Sequence, residues 1–156
     1  MMDALLTTQT SLDEIALRLL LALGLGAVVG IEREAHNKPA GLRTHMLVSL
    51  AAATFTLLAL EMTELTAGMG SSVRVDPIRV MEAIAAGVAF LGAGTIIQSR
   101  DGVRGITTGA GMWLAGAIGL ACGIGSFVIA LIVTGLSLII LLVIGRLERR
   151  VKKDDT

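Results

Sequence analysis

The chain has 156 residues, of which 54% are hydrophobic and 17% charged, and its mean hydropathy is +0.80. Apolar runs this dense, without alternating polar faces, exclude an ordinary soluble domain. Thirteen Lys and Arg balance thirteen Asp and Glu, and that neutral total hides a segregation of charge along the chain.

Residues 1–14 read as a short external segment. The start, Met1-Met2-Asp3, lacks a basic n-region, and Asp13-Glu14 precede the first apolar run, so that run is a retained helix rather than a signal peptide. Five apolar stretches follow in order: Ile15–Ile31, Thr44–Leu60, Pro77–Gln98, Ile106–Cys122 and Gly125–Gly145. Each is close to the ~17–25 residues that an α-helix needs to cross hydrocarbon. The expected fold is therefore all-α, a polytopic membrane protein of about five transmembrane helices over residues 15–145, with a basic tail at 146–156. The first connector carries Arg33, Lys38 and Arg43, the third Arg100 and Arg104, and the tail Arg146, Arg149, Arg150, Lys152 and Lys153. With five spans these segments share one side, and the positive-inside rule makes that side cytoplasmic. Only Arg18, Arg74 and Arg79 fall opposite. The amino terminus is expected outside, and the carboxyl terminus in the cytoplasm.

Small residues recur at four-residue spacing: Gly26 with Gly30, Ala85 with Ala89 and Ala93, and Gly111 through Ala115 and Gly119 to Gly123. In membranes such faces let helix backbones approach closely. Gly26, Gly30, Gly92, Gly94 and Gly119 are the packing candidates. Bundle packing and association of two copies both remain open for them, the second predicting that Gly26→Leu or Gly119→Leu weakens a dimer. Cys122, the only cysteine, reads as a small packing residue. Leu25-Gly26-Ala27 resembles Leu91-Gly92-Ala93, and Gly41-Leu42-Arg43-Thr44 resembles Gly105-Ile106-Thr107-Thr108. The spacing suits a parallel repeat of two helices, with chance likeness among Gly- and Ala-rich helices as the rival reading.

Polar residues gather at two cytoplasmic corners. We expect Glu32, Arg33, Glu34, Arg43 and Thr44 of the first corner to meet Arg104, Thr107 and Thr108 of the second in one polar site. Half-hydrated charges at helix ends gain from partners, and a helix start favours an anionic group. The alternative is ordinary interfacial anchoring. On the outer side, Asp76 suits an N-cap with Pro77 behind it. Asp76, Arg79 and Glu82 have the spacing of ion pairs, and Glu61 and Glu64 add carboxylates nearby. Such oxygen ligands suit Mg²⁺, but they are scattered, so no cofactor is expected. His36 and His45 flank the first connector with no third ligand close in sequence. Without a P-loop, H-E-x-x-H or nucleophile elbow, no enzymatic activity is expected.

At these residues the chain resembles the MgtC/SapB family of bacterial inner-membrane proteins. The resemblance rests on Gly30-Ile31-Glu32-Arg33-Glu34, Gly41-Leu42-Arg43-Thr44-His45-Met46-Leu47-Val48, Asp76-Pro77-x-Arg79, Phe90-Leu91-Gly92-Ala93-Gly94-Thr95-Ile96-Ile97 and Val103-Arg104-Gly105-Ile106-Thr107-Thr108-Gly109-Ala110, with Trp113 and Ala117-Ile118-Gly119. It covers roughly residues 20–145. It implies a five-helix membrane domain and a role in survival where magnesium is scarce or the medium acid, including inside host phagocytes. One branch is implicated in restraining the F-type ATP synthase; that branch carries a soluble carboxyl-terminal domain, for which these 156 residues leave no room. The expected partners are the lipid bilayer, a second copy of the chain and another membrane protein, with no nucleic acid. Regulation of a membrane complex is favoured over transport of Mg²⁺ or another ion, because the polar residues sit at the two faces and the span centres are Gly, Ala, Leu and Val.

Overall fold

The computed structural model describes residues 8–67, 76–100 and 102–145. The first half of the external segment, residues 1–7, together with Arg74, Asp101 and the basic tail, lies outside the described residues. The fold is all-α, and 80% of the described residues are helical. Its helices are α1 (Leu12–Ala35), α2 (Leu42–Ala67), α3 (Pro77–Ala93), α4 (Ile106–Gly123) and α5 (Phe127–Ile139), the last continuing into a π-helical turn at Ile140–Ile144. Leu12–Ala35, Leu42–Thr66 and Ile106–Gly123 are long and apolar enough to cross a membrane. The third is 17 residues long, about 25 Å at the usual helical rise.

Local chemistry sets the helix ends. Asp13 and Glu14 lie in the first turn of α1 and Arg33 in its last, each complementing the helix dipole. Asp76 Oδ1 accepts the Ile78 N–H at 2.9 Å, with Pro77 at the first helical position of α3. The third span was expected to run to Gln98, but α3 stops at Ala93. There the N–H groups of Thr95 and Ile96 turn back onto the Gly92 and Ala93 carbonyls, each at 3.0 Å, and the Thr95 hydroxyl donates to Gly92 at 2.7 Å. The β-branched run Thr95-Ile96-Ile97 then favours extended chain. β1 (Ile97–Ser99) and β2 (Gly102–Arg104) pair antiparallel, Ile97 opposite Arg104. Gly105, at φ +89°, turns the chain into α4.

The central helix is α4, which packs against α1, α2, α3 and α5. One apolar cluster, including Ala22, Val29, Ala53, Ile118, Cys122 and Ala130, joins α1, α2, α4 and α5; another, including Val48, Ala52, Ile84, Val88 and Met112, joins α2, α3 and α4. Outward faces carry Leu20, Phe55, Phe90 and Ile129, all exposed, which suits a surrounding of lipid tails.

Glycine sets how closely these helices approach. A Cβ at Gly26 would lie 2.8 Å from the His45 carbonyl, at Gly30 2.7 Å from Leu42 Cα, and at Gly92 3.1 Å from the Gly109 carbonyl; at Gly119 it would overlap the Ser49 carbonyl. These four positions are used within one chain, so the association of two copies expected at Gly26 and Gly119 has no free surface there. Gly94 differs: it is the exposed C-cap of α3. The two helical hairpins, α1–α2 and α3–α4, share a contact, since Gly26 meets the carbonyl of His45 as Gly92 meets that of Gly109. His45 and Gly109 in turn donate their N–H groups to Gly41 and Gly105, at 3.2 and 2.9 Å. The sequence likeness between the hairpins thus extends to their geometry.

Candidate functional site

The first helix runs past the expected end at Ile31, so Glu32 and Arg33 lie in its final turns and not in a connector. Both side chains are only 5% exposed, and Arg33 Nε donates to Glu32 Oε2 at 2.5 Å. His36 Nδ1 bonds to the Glu32 backbone carbonyl at 2.8 Å and lies 3.0 Å from Oε1. From α2 comes His45, which is fully buried, with Nδ1 2.9 Å from the Gly41 carbonyl. A carbonyl only accepts, so Nδ1 carries the proton and Nε2 of the neutral ring is a bare acceptor. Gly30 of α1 leaves room for the His45 Cβ, and Gly111 of α4 for its Nε2, which a Cβ at Gly111 would approach to 3.2 Å. Glu32 and Arg33 lie within electrostatic range of this ring. Three helices therefore enclose a cluster of one acid, one base and one imidazole. Three of its atoms, Glu32 Oε1, Arg33 Nη1 and His45 Nε2, are buried without a hydrogen bond.

Glu34 acts separately. Its Oε2 accepts the Leu42 N–H at 2.9 Å and so caps α2 from the preceding helix. Gly41 is required for this, because a Cβ there would overlap the Glu34 carboxylate. Arg43, Arg104 and Thr107 are exposed, Thr44 is half-buried and Thr108 is buried. Thr108 lies three residues before Gly111 and so on the same face of α4. Of the eight residues expected to form one polar site, Glu32 and Arg33 stand together inside the bundle, while Arg43, Arg104 and Thr107 project from its surface. His45 was missing from that set. Its signal is spacing: Gly41, His45, Ser49, Ala53 and Thr56 recur at three to four residues and trace the inner face of α2.

The outer end is organised by capping and by one ion pair, Glu14 with Arg18, rather than by the pairs expected at α3. Asp76 and Arg79 do not pair, because the Asp76 carboxylate is turned onto the Ile78 N–H; Arg79 and Glu82 do not pair either, and both are exposed. Glu61 accepts the N–H groups of Gln9 and Thr10, each at 2.8 Å. Arg18 Nη1 donates to the Gly123 carbonyl at 2.6 Å, closing the end of α4, and Nη2 bonds to Glu14 at 2.5 Å. Among the described residues no three His, Cys, Asp or Glu side chains gather as a metal site.

Residues 19–150 match the model of the MgtC family. The chain belongs to that family. It is 41% identical over 118 residues to the protein MgtC of Salmonella typhimurium, covering 76% of this chain and 47% of that one. It is 36% identical over 144 residues to the protein SrpB of Synechococcus elongatus, covering 86% and 77%. An Escherichia coli relative named as a putative magnesium transporter, YhiD, is 32% identical over 137 residues, covering 88% and 63%. The chain thus spans about half the length of the Salmonella MgtC. No solved structure matches. Relatives in the MgtC family are membrane proteins, and the three long apolar helices agree with that setting.

Proposed function

We propose that this MgtC-family chain is a bacterial inner-membrane stress-adaptation protein, serving cells short of magnesium or exposed to acid, and that it acts by contacting and regulating another membrane complex rather than by catalysis. Its carboxyl terminus lies in the cytoplasm and its amino terminus outside, by the basic-residue count.

One observation carries the choice of regulation over transport: the bundle closes beyond the charged cluster. The Ser49 hydroxyl donates to the Ala22 carbonyl at 2.7 Å, and Gly26 and Gly119 both press against Ser49. Beyond that seal the interior is lined by Ala22, Ala53, Ile118 and Cys122. The buried hydroxyls of Thr56, Thr134 and Ser137 are spent on carbonyls of their own helices. A conducting path needs polar groups free to replace water around an ion. The second reading is transport of Mg²⁺ or another ion, which the name of the Escherichia coli relative favours.

Association of two copies belongs to the same proposal. The outer stripe of α3 presents Arg79, Glu82, Ala83, Ala86 and Phe90, all exposed, and a Cβ at Gly87 would meet nothing. Its two charges are self-complementary: about a two-fold axis, each Arg79 faces the partner's Glu82. The three-residue offset is about 4.5 Å of helix rise, within reach of both side chains.

The test is in cells. A deletion strain in low-magnesium medium should regain growth when the chain is supplied, with total cell magnesium unchanged. A rise in cell magnesium that tracks expression would instead support transport.

A further inference from the structure

The charged cluster holds buried polar atoms that neither the fold nor the proposed role uses. A buried polar atom left without a hydrogen bond loses its hydration for nothing in return, so such atoms mark places where a ligand belongs. Three occur here together. Arg33 Nη1 is a donor; the bare Nε2 of His45 is an acceptor, and so is Glu32 Oε1, which has His36 Nδ1 at 3.0 Å but makes no hydrogen bond with it. Glu32 is 6% exposed, Arg33 4% and His45 0%.

The charges define what fits. Glu32 already neutralises Arg33 through the bond at 2.5 Å. An added anion would face the carboxylate, and an added cation the guanidinium. A small neutral ligand that accepts one hydrogen bond and donates two is complementary to all three atoms, and water has that chemistry. Buried waters typically make about three such bonds. Gly111 lets the α4 backbone pass close to the imidazole, since a Cβ there would stand 3.2 Å from Nε2.

We propose that Glu32, Arg33 and His45 enclose an internal hydration site at the connector end of the bundle, holding one or a few water molecules between the guanidinium and the imidazole. His36, whose side chain is 26% exposed, lies beside Glu32 on the connector side, 3.0 Å from Oε1. On the other side stand the Ser49–Ala22 hydrogen bond and the glycine contacts at Ser49. The inference holds whether the protein regulates or transports.

Solid-state NMR of the full chain in lipid bilayers, labelled with ¹⁵N in His and Arg, tests this directly. The expected result is a His45 ring protonated at Nδ1 and not at Nε2, with polarisation passing from water protons to Nε2 and to the Arg33 guanidinium. Gly111→Ala, which places a methyl against Nε2, should remove the water contact of His45. If that variant does not fold, His45→Leu should remove the water contact of Arg33 instead. A His45 ring protonated at Nε2, or water transfer absent from both side chains of the unmodified protein, would overturn the proposal.

Discussion

Single residues decide how closely these helices pack. Gly26→Leu and Gly119→Leu drive a side chain into a facing backbone, which cannot retreat as a flexible side chain can. Each should destabilise the folded protein by about 1–3 kcal/mol or more, read as a lowered unfolding midpoint in detergent. Gly24→Ala, at a position that meets nothing within 4 Å, should leave the midpoint unchanged or slightly raised, since Ala is the better helix former. Equal losses at Gly24 and Gly26 would mean that the close contacts are not what the glycines supply. At the start of α2, Glu34→Ala removes the carboxylate that accepts the Leu42 N–H. A loss of about 1 kcal/mol is expected, whereas Arg43→Ala, at an exposed side chain, should cost little stability. Hydropathy made the glycine faces visible, but it did not say which partner each one meets. Four-residue spacing is the same for a face turned to a neighbouring helix and for one turned to a second copy, so Gly26 and Gly119 fitted both readings.

At the scale of the helices, most elements were readable from apolar run length. All five begin within three residues of their expected starts, since Asp13-Glu14, Pro77 and Gly105 punctuate the chain. What misled was the boundary between apolar helix and apolar strand. Thr95-Ile96-Ile97 is as hydrophobic as the span before it, and only its β-branching and the Gly102 and Gly105 turns mark the hairpin. The polar corner was half legible for a related reason. Glu32 and Arg33 look like connector residues because charge ends an apolar run, yet α1 continues and buries them as a pair. His45 was hidden by its surroundings, because Arg43 and Thr44 beside it suggest an exposed helix start. The free face of α3 carries an element-level expectation. The variants Arg79→Glu and Glu82→Arg each place like charges on that stripe and should each reduce dimer formation in bilayers. Mixing the two variants should restore a heterodimer, which pairing within one helix could not do. Failure of the mixture to associate, with the unmodified chain dimeric, would place the interface elsewhere.

For the whole molecule, orientation follows from the ten-to-three division of Lys and Arg. A Cys placed near the carboxyl terminus of a Cys122→Ser chain should resist membrane-impermeant thiol reagents in intact cells and react after lysis. Labelling in intact cells would reverse the orientation and put the buried Glu32–Arg33–His45 cluster at the opposite face. A bundle sealed between its ends would act by contact, as proposed, and not by conduction. Its charged groups are confined to the ends, and Ser49, Ala22, Gly26 and Gly119 close the space between them. Magnesium flux into liposomes carrying the purified chain, followed with an enclosed Mg²⁺ indicator, tests this most directly. The rate should equal that of protein-free liposomes under both a magnesium gradient and a pH gradient. A saturable flux that rises with protein content and disappears in Glu32→Gln would contradict a sealed bundle.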